Sequence, residues 1–417
     1  MAVMIRTYII TCDLPRERAD ALNRESGRIY TEVLVAHWRV KRKKDIWLSE
    51  RSGTRWSDSR TTATMHAHTI DAAQQGFYRA CVTTRALRRA GFPETRFPHR
   101  PKKFRTTVWK VSGIRRAGEV LILSCGGRTS QEREVRQIRL PIPEHLRDML
   151  RFVEVRLVYD QVGRRYTWHL VAEDGTKAKA SPGTKVVSVD LGEVHPAVVG
   201  DERAAEVITC RQRRAESQGH ARRMAKIQQA ACRKRKGSRR HRRLMRSRAR
   251  MRAKHRRVMR DMEHKISRAI VTVAVEHEAG TIVIGDVRDV ADAPDKGKLQ
   301  NGRLSRWDHG KVRQYVAYKA EAEGVEVELI EEHHTSQTCP ACRHCHKPGG
   351  RVFRCPACGI RAHRDVVGQI NILSRFQTGE VGMLPTPPAV KYRIPHDLRV
   401  MRRRRDTGQV GIPVARG

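Results

Sequence analysis

The spacing of apolar positions changes character at about residue 183. Before it, "VMIRTYIIT" over residues 3–11 has the dense β-branched content of a strand. Helical spacing follows from Pro15 to about Val40 and again from about Thr64 to Ala90. The second of these stretches, "TMHAHTIDAAQQGFYRACVTTRALRRAG", closes at Gly91, a residue suited to a helix C-terminus. Next, "RFPHRPKKFRTTVWKV", "EVLILSCGG", "RFVEVRLVYD" and "RRYTWHLVAE" read as strands punctuated by Pro and Gly, the last pair joined by a turn at residues 161–163. The first 180 residues therefore predict a helical block and a β-rich block.

From Lys185, "KVVSVDLGEVHPAVVGD" predicts a buried strand, a glycine turn and a second strand, and "AAEVITC" a third. A polar segment of helical length runs from about Gln212 to Ala279. It is followed by a short apolar strand "TIVIGDV" (residues 281–287), a helix at about Trp307–Glu323 and the strand "VEVELIEE". Three strands, helix, strand, helix, strand is the order of an RNase H-like α/β domain, an order that other α/β sheets share. From Gln377 onward Pro, Gly and the run Arg402–Arg405 predict a basic, disordered tail.

Charge narrows the partners. The 85 Lys and Arg against 44 Asp and Glu give a formal +41, a surplus that attracts polyanions by counterion release and suits nucleic acid better than a small-molecule substrate. Between Arg211 and Arg260, 22 of 50 residues are Lys or Arg and only Glu216 is acidic, a density that would make an isolated helix repel itself. Its densest part, Arg233, Lys234, Arg235, Lys236, Arg239, Arg240, Arg242 and Arg243, is the predicted nucleic-acid contact. No apolar run approaches the roughly 18 residues of a membrane span, and the N-terminal stretch is too short and polar for a signal peptide, so a cytoplasmic protein with no membrane partner is expected.

Five of the ten cysteines fall between Cys339 and Cys358, while Cys12, Cys81, Cys125, Cys210 and Cys232 are scattered. In "CPACRHCHKPGGRVFRCPACG", Cys339 and Cys342 form one Cys-x-x-Cys knuckle and Cys355 and Cys358 another, enough thiolates for one closed, structural, tetrahedral Zn²⁺. Cys345, His344 and His346 are nearby competitors. Asp190 ends the strand "KVVSVD", and Asp365 opens the apolar helical stretch "HRDVVGQINIL" directly after the knuckles. A carboxylate at the tip of a central strand is where a two-metal nuclease holds Mg²⁺; alone, each would read as a turn or helix cap.

With these motifs in hand, the chain resembles the TnpB family, RNA-guided RuvC-like nucleases of bacterial insertion sequences and relatives of the type V CRISPR effectors. The resemblance rests on "DLG" (190–192), "YKAEAEGVEVELIEEHHTSQTCPAC" (318–342), "FRCPACG" (353–359) and "HRDVVGQINIL" (363–373), with "RFPHRPKKFRTTVW" in the first half, and covers about residues 1–375. It implies a multi-domain α/β protein: a wedge strand (1–12), a helical recognition insertion (13–95), a wedge β-domain (96–182) and an RNase H-like RuvC domain (183–376) with a zinc ribbon at 333–362. It further implies a guide RNA from the transposon end, a double-stranded DNA target cut beside a short motif, two catalytic Mg²⁺ held by Asp190, a glutamate and Asp365, and one structural Zn²⁺.

One position departs from the family. Where its members carry a catalytic glutamate at the end of the strand "TIVIGDV", this chain has Gly285. Three readings follow. Asp286 twists back to the site, although adjacent strand residues point to opposite faces. Alternatively the site is inactive and the protein is a guided, repressor-like DNA binder. Third, Glu331 or Glu332, at the end of the neighbouring strand, has taken over. The resemblance favours Glu332, three residues before "TSQTC", as the relocated ligand.

Overall fold

The computed structural model describes residues 5–58, 65–127, 129–175, 177–286 and 309–396, with Gly297, Asn301, Gly302 and Trp307 in addition. It divides into two compact units, Met1–Ala178 and Lys179–Gly417.

In the first unit β1 (Ile5–Thr11) lies antiparallel to β7 (Arg165–Glu173), which pairs with β6 (Arg151–Asp160), and β2 (Thr107–Lys110) closes the far edge. A second sheet holds β3 (Ile114–Ala117), β4 (Val120–Leu123) and β5 (Ile138–Pro141). Alternation decides what is buried: Tyr166, Trp168, Leu170 and Ala172 of β7 join Trp109, Leu121, Leu123, Val155 and Leu157 in one core. Three helices, α1 (Arg16–Lys44), α2 (Glu50–Asp58) and α3 (Ala67–Arg89), make the helical block, with Tyr30, Val33 and Leu34 of α1 packed on Phe77, Tyr78 and Cys81 of α3; a short α4 (Ser130–Arg136) precedes β5. Only the end of "RFPHRPKKFRTTVWKV" is a strand. Its two prolines cannot donate to a ladder, and the segment is instead pinned to α1 by Trp38 Nε1 donating to the Pro98 carbonyl (2.7 Å) and the Lys102 N–H donating to Thr31 Oγ1 (2.9 Å).

The second unit is built on six strands in the order β12-β11-β8-β9-β10-β15. They are β8 (Lys185–Asp190), β9 (Ala197–Gly200), β10 (Ala204–Ile208), β11 (Ala279–Asp286), β12 (Glu326–Glu331) and β15 (Ala389–Arg393). Strand β11 runs parallel to both β8 and β12, while β9 is antiparallel to β8 and β10. One face is covered by α6 (Arg239–Glu276) and α7 (His309–Ala322): Val187, Val189, Ile282 and Ile284 pack there with Ile266, Ile270, Val273, Val312 and Val316. The other face receives α8 (Arg364–Thr378), docked where the Ser188 hydroxyl donates to the Gln369 carbonyl (2.8 Å) and Gln369 Nε2 donates to Ser188 Oγ and the Gly200 carbonyl. Between β12 and α8, the hairpin β13 (Val352–Arg354) and β14 (Arg361–His363) carries the second cysteine knuckle at its turn, and the first lies ahead of it, beside a Thr338–Cys345 bridge.

Two expectations are corrected. The polar segment expected as one helix is a hairpin of α5 (Arg211–Cys232) and α6, interrupted at Gly237, whose φ of +82 suits glycine, and restarted by Ser238, whose hydroxyl accepts from the His241 N–H (3.2 Å). The tail expected to lack structure from residue 377 instead continues α8 to Thr378 and then adds β15 in parallel to the free edge of β10. The unpaired N–H and C=O groups of that edge supply the reason, and Arg393 fixes the strand by pairing with Glu206 and Glu276. Val287 and Arg402–Arg405 lie outside the described residues.

Candidate active site and metal centre

Strand pairing determines which carboxylates meet. Asp190 ends β8 on the α8 face, because Val187 and Val189 point to the other side. On β11, Gly285 follows Ile284 of the α6/α7 core and so returns to the α8 face; its pairing partner on β12 is Ile330, and Asp286 pairs with Glu331. Glu332, two residues beyond Ile330, is therefore on the side of Gly285, and Asp286 and Glu331 are on the other. The side chains agree. A Cβ placed on Gly285 would stand 3.1 Å from the Glu332 carboxylate, which occupies the space a side chain at 285 would need. Asp286 turns to Arg313 of α7, 3.3 Å away.

Helix α8 closes in on the same point. A Cβ on Gly368 would lie 2.6 Å from Asp190 Oδ2, so glycine there lets the helix backbone rest against the carboxylate. Burial pushes Asp190 well above the usual carboxylate range, and the charges of Glu332 and Asp365 push it the same way. Burial likewise pushes Glu332 up to about 7, with Asp286 adding to the rise and a hydrogen bond shared with Asp190 opposing it. Glu332 Oε2 is buried with no hydrogen-bond partner. Acidic oxygens pressed together, one of them orphaned, fit a divalent cation between them.

Asp365 sits in the first turn of α8 and is engaged by Arg351, whose Nη1 lies 3.2 and 3.1 Å from its two oxygens. Its oxygens also form a close group with His195 and His363, ligand atoms all within 4.8 Å of one another, a juxtaposition the sequence reading missed. Burial pushes both imidazoles below their ordinary range while Asp365 pulls the other way. Asn371 was missed as well. It is fully buried on α8, donating from Nδ2 to the carbonyls of Thr335 (2.7 Å) and Thr338 (2.8 Å) and accepting from the Gly382 N–H (3.0 Å), and Arg375 donates to the Glu331 carbonyl (2.7 Å). These bonds hold the turn that carries Glu332. Gln369 and Asn371 inside the apolar run "VVGQINIL" were the available signal.

The four knuckle cysteines come together as one group. Cys339 Sγ is 3.6 Å from Cys358 Sγ and Cys342 Sγ 3.4 Å from Cys355 Sγ, with all four inside 4.8 Å. Each knuckle turns back on its first cysteine: the Arg343 N–H donates to the Cys339 carbonyl (2.9 Å) and the Gly359 N–H to the Cys355 carbonyl (3.0 Å), both turning residues having positive φ. Four sulfurs at this spacing fit a tetrahedral Zn²⁺. Cys345 stands apart from the group, 3.9 Å from His334 Nδ1.

The eight basic residues singled out for nucleic acid cluster at the α5–α6 turn. Arg233, Lys234, Arg235 and Lys236 form the connection, and Arg239, Arg240, Arg242 and Arg243 the first turns of α6; all are exposed.

A family model described as "Probable transposase" (OrfB_IS605) matches residues 169–291, and one described as "Cas12f1-like, TNB domain" matches residues 309–372. Over 136 residues the chain is 31% identical to a TnpB-like protein of Methanocaldococcus jannaschii, covering 32% of this chain and 48% of that protein. Over these stretches the chain is similar to TnpB-like proteins. The CRISPR-associated endodeoxyribonuclease Cas12f1 of Sulfoacidibacillus thermotolerans is 32% identical over 112 residues, 26% of this chain and 25% of that enzyme. The alignments thus span about half the length of the first of these two proteins and a quarter of the second. In fold, a Cas12f1 chain solved in complex with sgRNA and target DNA superposes with a TM-score of 0.61 at 12% identity, covering 86% of this chain and 83% of that one. No helix among the described residues is long and apolar enough to cross a membrane.

Proposed function

We propose that this chain is an RNA-guided DNA endonuclease of a bacterial insertion sequence, acting in the cytoplasm at the nucleoid, with its second unit an RNase H-like (RuvC) nuclease domain. One observation carries the reading: the Glu332 carboxylate fills the space left by Gly285 and lies against Asp190, so the site keeps its acid although the strand residue is gone. The sheet order, with β9 antiparallel and helices on both faces, supports the RNase H-like assignment. On the family's plan, residues 1–12 and 96–182 form the wedge, 13–95 the recognition insertion, 183–376 the nuclease domain and 333–362 its zinc ribbon.

Asp190, Glu332 and Asp365 would hold two Mg²⁺, which when bound ready the attacking water and stabilise the leaving oxygen of the phosphodiester. Asp190, which feels the charge of both other acids, would be the carboxylate shared between the two ions. Glu332 and Asp365 flank it, and Arg351, which pairs with Asp365, would have to give up that pairing for the carboxylate to hold a metal. The two histidines beside Asp365, neutral at pH 7, add no charge against the incoming cation. Cys339, Cys342, Cys355 and Cys358 would hold one Zn²⁺ that ties the ribbon closed ahead of α8. The basic hairpin would carry guide RNA from the transposon end, base pairing would choose the sequence, and the first unit would read a short motif in the double-stranded target.

The test is cleavage of a plasmid carrying the matched target. Glu332→Gln should abolish cutting and leave target binding nearly unchanged, since the change is isosteric and removes only charge; Asp190→Asn and Asp365→Asn should do the same. Asp286→Asn should still cut. If Glu332→Gln cuts at the wild-type rate and Asp286→Asn does not, β11 carries the third ligand. Tight target binding by wild type with no cutting in Mg²⁺ or Mn²⁺ would replace this reading with that of a guided binder.

A further inference from the structure

The basic hairpin contains a second group of ligand atoms that the nuclease reading leaves unused. Glu216 and His220 stand one helical turn apart on α5, and His255 meets them from α6; a carboxylate oxygen and two imidazole nitrogens lie within 4.8 Å of one another. The spacing of four along one helix puts both α5 ligands on the same face. His255 Nδ1 is 3.2 Å from Glu216 Oε1, and the rings of His220 and His255 stack with centroids 3.8 Å apart and planes within 1° of parallel, so one ring must turn out of the stack for both in-plane lone pairs to reach a single ion. His220 Nδ1 is buried and has no hydrogen-bond partner.

Two alternatives account for less. Glu216 relieves local positive charge, since Arg223 Nη2 lies 3.1 and 3.2 Å from its oxygens. That explains one carboxylate among 22 Lys and Arg but not two imidazoles gathered on it, one with an orphaned nitrogen. Protonated histidines paired with Glu216 are no better, because two imidazolium rings in stacking contact repel each other and the surrounding guanidiniums. Burial and His255, joined by Arg223 and Arg252, hold His220 below its ordinary range against the opposing pull of Glu216. A neutral His220 keeps a ring nitrogen with a free lone pair, the form in which histidine binds metal.

We infer that Glu216, His220 and His255 form a second metal site, taking a transition-metal dication of the zinc type and pinning α5 to α6. Two nitrogen donors and one oxygen suit Zn²⁺ and disfavour Mg²⁺, which prefers oxygen and keeps its waters. Arg223 competes with the metal for Glu216, so it sets the affinity of the site.

The experiment uses the full chain, stripped of RNA by nuclease and high salt, then equilibrated with Zn²⁺ and freed of excess. Metal analysis should find a second equivalent of zinc beyond the one lost in Cys355→Ser. His220→Ala and His255→Ala should each lose that second equivalent and keep the first, with helix content by circular dichroism unchanged. Cobalt separates the sites: the thiolate-to-metal charge-transfer band belongs to the cysteines and survives in both histidine variants, while the nitrogen/oxygen ligand-field bands vanish. Arg223→Gln, which frees Glu216, should tighten the second equivalent. A single equivalent in wild type, a second that survives in the His220→Ala/His255→Ala double variant, or weaker binding in Arg223→Gln overturns the inference.

Discussion

A methyl group on Gly285 would stand 2.8 Å from Ile372 Cδ1 and 3.1 Å from the Glu332 carboxylate, so at this residue glycine and glutamate on neighbouring strands are one device. The Gly285 backbone does not need glycine's freedom, since its φ lies outside the positive range. What a side chain there would disturb is the position of Glu332. Gly285→Ala should therefore fold, because the tip of Ile372 can yield, but should lose most single-turnover cleavage because the carboxylate cannot stay where it is. A sharper test moves the acid back: Gly285→Glu combined with Glu332→Ala restores one carboxylate to the same space from the other strand. It should cut faster than Glu332→Ala alone. Equal rates would mean that the space above Gly285 is not where the third ligand acts.

At the scale of elements, α8 assembles the site. Its residues touch three separate segments: Gln369 binds β8 and β9, Gly368 admits Asp190, and Asn371 closes the turn that presents Glu332. Asn371→Leu keeps the bulk and removes every one of those polar interactions, stranding the Thr335 and Thr338 carbonyls and the Gly382 N–H. At roughly 1–3 kcal/mol for each buried group left unsatisfied, thermal stability should drop by several degrees. Cleavage should fall further than guide or target binding, and zinc content should be unchanged; full cleavage activity would show that the turn holds Glu332 without Asn371. This element also shows what the sequence could reveal. The apolar runs of β8, β11 and α8 were legible because burial imposes them, and the paired knuckles because one metal imposes their spacing. The α5–α6 break was not, since a segment polar on all sides has no period to interrupt. Nor was β15, whose partner β10 lies some 180 residues earlier and whose short "AVKYR" is exposed along most of its length. Glu332 could be nominated from its place after a strand, but its aim depends on long-range bonds from Asn371 that no local pattern encodes.

For the whole molecule, a net charge of +41 raises the question of which of the 85 basic side chains touch phosphate. Many are already occupied within the protein: Arg393 holds two glutamates, Arg28 pairs with Glu25 and Glu32, and Arg313 and Arg351 face the acids around the candidate site. The exposed residues at the α5–α6 turn are different. Of the eight, only Arg242 makes a described side-chain hydrogen bond, to the Gly237 carbonyl (2.6 Å), and that bond leaves its charge unneutralised. Such charges are tolerable side by side when a polyanion replaces their counterions, and each phosphate so neutralised steepens the dependence of binding on salt. Replacing Arg239, Arg240, Arg242 and Arg243 by Gln should weaken RNA binding and flatten the slope of log affinity against log salt, by about 0.7 for each single-stranded phosphate that no longer has an arginine to neutralise it. Filter binding across a range of salt concentrations measures both. Glu332→Gln, which alters the candidate nuclease site and none of these arginines, serves as the control and should leave the slope as it is. An unchanged slope in the quadruple variant would assign these arginines to solvent and place the RNA elsewhere on the basic surface.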